Sequence, residues 1–166
     1  MIDVQDDPID QMEQDHEQMR LLARQWRALG GSPGSAPQRK VLAEQLCTQF
    51  TIHARLEEEL LDPLSREALG PQALPADTDA LRLRARDLIA RLLQMRADDP
   101  LHDMRVERLC DTIEQHIASQ QAGLFPRLRR CGADLALLGR RLRERRRELE
   151  AVSEALREEV LVSALA

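Results

Sequence analysis

The chain has four histidines, and three of them, His16, His53 and His116, fall in stretches where apolar residues recur in steps of three and four. That spacing marks one face of an α-helix. Ile9, Met12, His16, Met19, Ala23 and Trp26 form the first stripe, and Leu42, Leu46, Gln49, His53, Leu56 and Leu60 the second. Val106, Leu109, Ile113, His116, Gln120 and Leu124 form the third. A single inward histidine is most often a satisfied core residue. Three at comparable depth on separate helices are what a helical bundle uses to build a metal site from facing side chains. His53 also has a carboxylate four residues on, Glu57. That residue lies one turn further along the same face, roughly 6 Å along the axis, so both can reach one ion.

The segment from His53 to Pro63 recurs, with changes, from His116 to Pro126. Histidine, a polar pair at plus four and plus five, leucine at plus eight and proline at plus ten coincide. In the second copy the carboxylate has become Gln120, a weaker and uncharged ligand. Glu58 and Gln121 are turned by about 100° from their neighbours and are expected to face an adjacent helix or solvent.

The elements that must position these residues are all helical. Strand-favouring residues are scarce, with two Phe, one Trp and no Tyr among 166 residues, against many Leu, Ala, Arg, Glu and Gln, which lose little entropy in a helix. Glycine and proline divide the chain into five expected helices. The first runs from about Ile9 to Leu29, ending at Gly30-Gly31-Ser32-Pro33-Gly34. The second runs from near Pro37 to Asp62, stopped by Pro63, and the third follows Asp77 and Thr78 to roughly Ala97. The fourth is capped by Asp98-Asp99-Pro100 and reaches about Leu128, passing Pro126 in its last turn. The fifth is a long helix from Ala133 to about Val162. The expectation is one all-α domain over residues 1–166: an up-down-up-down four-helix bundle at about 8–130 and a C-terminal helix at about 133–163.

Here the chain resembles the hemerythrin-like, HHE cation-binding family. Asp15-His16-Glu17 matches its first-helix element, His53 to Pro63 its second and His116 to Pro126 its fourth, while Leu138-Gly139-Arg140-Arg141 is similar to the usual tail. The resemblance covers about residues 8–150 and implies a bundle holding two irons, with oxygen, iron or redox handling as its theme. The implied ligands are His16, His53, Glu57 and His116. Two positions depart from the pattern. Gln120 replaces the second carboxylate, and Arg82 stands where the family has a third-helix histidine, with Arg86 one turn on and Asp79 as the nearest alternative in another register. His102 lies about 21 Å from His116 along the same helix and is expected at the surface near the cap.

Two divalent ions plus Arg82 would place five positive charges against one confident inward carboxylate, Glu57, which argues against a dinuclear centre. Two arrangements stay open. One iron or similar ion, at full or partial occupancy, is held by His16, His53 and Glu57 with His116 or Gln120 assisting. In the other, the Arg82 guanidinium replaces the metal and pairs with Glu57, and the histidines and Gln120 satisfy one another. The second would make the chain a metal-free binding or regulatory module.

Other features carry less chemistry. No catalytic acid-base pair or nucleophile is evident, so an enzyme is not expected. Cys47, Cys110 and Cys131 are odd in number and far apart, which suits buried reduced thiols better than a disulfide framework. The formal charge of −5, an acidic N-terminus without an apolar leader and the lack of a long apolar run lead to the expectation of a cytoplasmic protein with no nucleic-acid or membrane partner. The run Arg140 to Glu148 mixes both signs and reads as a solvated face. Its helix also carries Leu135, Leu138, Leu142, Leu149, Val152 and Leu156, enough to pack on the bundle in its first half and pair with a second subunit in its second.

Overall fold

The computed structural model describes residues 6–165; Met1 to Gln5, half of the acidic N-terminus, and Ala166 lie outside the described residues. Helix α1, Pro8–Ala28, starts where the Asp7 carboxylate accepts the Ile9 and Asp10 amides at 2.8 and 3.1 Å, with proline in the first turn. Helix α2, Ala36–Leu56, follows the glycine-rich turn. It runs through a π-helical turn, Glu57–Leu61, into α3, Asp62–Leu69. Then come α4 (Thr78–Gln94), α5 (His102–Gly123), α6 (Phe125–Arg130), α7 (Ala136–Ala151) and α8 (Ser153–Leu165). No strand occurs among the described residues.

Helices α1, α2, α4 and α5 form the antiparallel four-helix bundle. The cross-links show the directions: Arg20 pairs with Glu114 and Arg27 with Glu107 between α1 and α5. Early α2 meets the end of α4 through Lys40 and the Met95 carbonyl, and late α2 meets the start of α4 through Glu57 and Arg82. One apolar cluster gathers Trp26, Leu46, Phe50, Ile89 and Leu109; a second, under α7 and α8, gathers Ile9, Met12, Leu56, Phe125, Leu142 and Leu149. On each histidine-bearing helix the histidine lies between residues of these two clusters, so the bundle core contains one polar layer. Every residue of the first and third stripes is buried. In the second stripe, Leu42, Gln49 and Leu60 are only half-buried, while Ala43, Cys47 and Phe50 of α2 turn fully inward.

Several boundaries differ from expectation for identifiable reasons. Pro63 does not end the second helix. Its missing N–H is tolerated because the preceding turn is π-helical, with the Asp62 amide bonded to the Glu57 carbonyl five residues back. Pro126 opens α6 after a break at Leu124 instead of closing the fourth helix. The third helix ends at Gln94, short of Ala97. Pro100 precedes α5, in a turn where the Asp99 carboxylate accepts the Leu101 amide at 2.8 Å. That turn presses His102 inward, 2% exposed, where a surface position was expected. The expected single C-terminal helix bends at Val152 (φ −115°, ψ 24°). The bend returns α8 to α4 and α2, which keeps Leu149 and Leu156 both buried and pairs Glu159 with Arg55 at 2.6 Å. No helix among the described residues is long and apolar enough to cross a membrane.

Candidate metal centre

The centre begins with an irregularity in α2. In an α-helix, residues five apart point about 140° away from each other. The π turn Glu57–Leu61 adds one residue to the repeat, so Glu57 and Asp62 both face the bundle interior. Both carboxylates meet Arg82 of α4. The guanidinium NH2 donates to Glu57 Oε2 at 2.9 Å, and NH1 donates to Asp62 Oδ2 at 2.6 Å, with further bonds at 3.2 and 3.1 Å to the same two partners. Arg82 is 2% exposed. Geometry therefore places it inside the bundle, paired with Glu57 as the metal-free arrangement has it and with a second carboxylate that the α-helical period had concealed.

Around the other face of Glu57 stand the histidines. His53 Nε2 lies 2.9 Å from Glu57 Oε1, and His116 Nε2 hydrogen-bonds to Glu57 Oε1 at 3.2 Å and lies equally close to Oε2. The Gln120 amide nitrogen also donates to Glu57 Oε1, while its carbonyl takes the His16 Nε2 proton at 3.1 Å. His53 Nδ1 donates to Asp15 Oδ2 at 3.0 Å, which fixes that tautomer and points Nε2 toward Glu57. Asp15 is clamped in turn by Arg146 of α7 at 2.8 and 2.9 Å. The rings pack against one another and on two phenylalanines: His16 stacks on Phe125, with ring centres 5.6 Å apart, and His116 meets Phe50 edge-on. His16 Nδ1, His53 Nε2 and His116 Nδ1 have no hydrogen-bond partner of good geometry.

Burial and charge act against each other here. Burial drives the His16 imidazole down to about 3, assisted by the nearby His53 charge, so His16 is neutral. Burial also pulls His53 down, but the Glu57 charge and the bond to Asp15 outweigh it and raise His53 to about 9. Glu57 is driven up by desolvation and pulled further down by His53 and His116, ending well below the carboxylate range. For Arg82, the two carboxylates overcome desolvation and hold it charged. Burial, with the Glu57 charge, raises Asp62 against the pull of Arg82.

The donor set suits one cation and not two. His53, Glu57 and His116 each offer a ligand atom, and these atoms lie within 4.8 Å of one another, all buried. His53 Nε2 faces Glu57 closely without forming a proper hydrogen bond; a proton or a metal ion between them resolves that contact. Two imidazoles and a carboxylate are ordinary ligands for Fe or Zn. A second ion lacks free ligands. Glu57 Oε2 already accepts two bonds from Arg82, whose positive charge lies inside the bundle.

Of the residues singled out from the sequence, His53, Glu57 and His116 converge. His16 and Gln120 border them and bond to each other, with the His16 and His53 ring centres 5.0 Å apart. Arg86 is exposed and pairs with Glu58, and Asp79 is exposed. Asp62, Asp15 and Arg146 were not assigned roles from the sequence. Pro63 reads in sequence as a helix stop and so hides the π turn that brings Asp62 in, and nothing local marks Arg146. Cys47 and Cys110 are buried thiols that desolvation raises to about 12 and 11.

Neither the curated proteins nor the solved structures compared with the chain contains a significant match. The sequence profile described as the Hemerythrin HHE cation binding domain matches residues 7–128. That span takes in the whole bundle and each of His16, His53, Glu57, Arg82, His116 and Gln120, and the chain belongs to this family.

Proposed function

We propose that the protein binds one divalent metal ion, iron by the theme of its family, with His53, Glu57 and His116 as ligands and His16 and Gln120 alongside. In this reading Arg82 takes the place of a second ion. The carrying observation is the contrast between the two oxygens of Glu57: Oε2 accepts two guanidinium bonds from Arg82, whereas Oε1 lies 2.9 Å from His53 Nε2, a buried nitrogen that no hydrogen bond satisfies. Charge supports the same stoichiometry. Among the described residues of this layer, Asp15, Glu57 and Asp62 oppose Arg82 and Arg146, leaving one negative charge. A single divalent ion, displacing the His53 proton, changes that to one positive charge, whereas two ions would leave three in a buried layer.

A bound iron supplies an electrophilic, redox-active centre. The chain's own groups orient the ligands: Asp15 holds the His53 tautomer, and Arg82 fixes the Glu57 carboxylate plane. We read the protein as a carrier or sensor of the ion or of a small molecule bound to it, rather than an enzyme, and as cytoplasmic. A metal-free module is the competing reading, favoured by the ion pairs that Arg82 already completes. Melting curves separate the two. Zinc or ferrous ion raises the melting temperature of the wild type, and His53→Ala removes the rise. Equal effects of His53→Ala with and without metal point to a purely structural histidine.

A further inference from the structure

The matched family region ends at residue 128, yet a side chain well beyond it reaches the centre. Arg146, on α7, grips the buried Asp15 with two nitrogens, at 2.8 Å to Oδ1 and 2.9 Å to Oδ2. The Oδ2 atom it holds also accepts the His53 Nδ1 proton at 3.0 Å, and the opposite nitrogen of that ring faces Glu57. An unbroken chain of contacts thus runs from α7 through α1 to the ligand set on α2. The helix is seated for this purpose at several points. Arg145 pairs with Glu59 in the π turn at 2.7 Å, and Gln11 donates to the Gly139 carbonyl at 2.9 Å. Gly139 has no room for a side chain, since a Cβ there would overlap the Asp6 carbonyl. The run that the sequence presents as a solvated face therefore turns Arg145 and Arg146 onto the bundle.

We propose that Arg146 is a positioning residue for the ion-binding site, and that seating of α7 and cation binding are coupled through Asp15 and His53. The inference rests on the single-ion reading above. A carboxylate clamped by a bidentate guanidinium cannot rotate, so the His53 ring it holds keeps one tautomer and one orientation. Without the clamp the ligand nitrogen must be ordered by the ion itself. By linkage, an ion that binds better when α7 is seated must also hold α7 in place.

The test uses the full chain, stripped of metal, with zinc as probe and affinity read by competition against a chromophoric chelator. Arg146→Ala is expected to weaken zinc ten- to hundredfold, the usual cost of removing such a supporting partner. Arg146→Lys, which restores charge but not the fork, should recover part of it. Arg129→Ala, which breaks an ion pair to Asp10 and Glu13 away from the centre, serves as the control and should leave affinity within about threefold. Hydrogen exchange in α7 should slow on adding zinc to the wild type and respond less in Arg146→Ala. Wild-type binding with unchanged affinity in Arg146→Ala would overturn the coupling and leave the site standing. No zinc binding by the wild type would overturn both.

Discussion

Replacing Arg82 by methionine keeps most of the aliphatic stem and removes the guanidinium, leaving Glu57 and Asp62 without their shared cation. Both carboxylates are almost wholly buried, at 0% and 3% exposure. Breaking a buried pair by deleting one partner costs about 3–5 kcal/mol, chiefly through the charge left behind. In a chain of this size each kcal/mol moves the melting temperature by about 2–4 °C, so the expected drop is roughly 6–20 °C. The assay is urea denaturation of chelator-treated protein at pH 7, with wild type and variant extrapolated to water. The penalty should shrink at pH 5, where Asp62, already raised by burial, can take up a proton. A loss below about 1 kcal/mol, the value of an exposed ion pair, would mean that Arg82 does not neutralise two buried carboxylates.

Arg82→His combined with Gln120→Glu restores the ligand types that the family pattern carries, and iron content should rise above that of the wild type; no gain in iron would count against the placement of Arg82 at a ligand position. Acidity acts in opposite directions on the metal-free and metal-bound forms. With His53 raised from about 6.5 to about 9, the protonated ring contributes up to about 3 kcal/mol to the metal-free fold below pH 6.5, and this is lost as pH rises through 9. His16, kept neutral down to about 3, has the opposite sign and costs stability as pH falls below 6.5. A bound ion must displace the His53 proton, so zinc affinity should climb about tenfold per pH unit from 6.5 toward 9. An affinity flat with pH over that range contradicts the assignment of His53 as a protonated ligand.

Much of this architecture was legible because it follows from period and punctuation. The stripes containing His16 and His116 predict burial residue by residue, and the histidine repeat identifies the two helices that meet across the centre. What escaped depends on departures from the α-helical period or on contacts remote in sequence. Asp62 enters only because the π turn adds a residue to the repeat after Glu57, and the proline that this turn accommodates reads in sequence as a helix stop. The bend at Val152 has no glycine or proline to announce it; it follows from the position of the bundle surface, which Leu149 and Leu156 must both reach. His102 follows a proline and two aspartates, a pattern of exposed caps, yet the turn they form folds it inward. Arg82 was recognised by what it replaces, whereas Arg146 sits in a mixed-charge run where several arginines are locally equivalent and only the packing of α7 selects one.

The most direct test of the single-ion account is the metal content per chain, by elemental analysis of untagged protein produced in iron-supplemented medium and purified without chelators. About one ion per chain is expected in the wild type, and none in His53→Ala. Two irons per chain would contradict the role given to Arg82, and none would leave the Arg82, Glu57 and Asp62 network as a structural replacement for the metal.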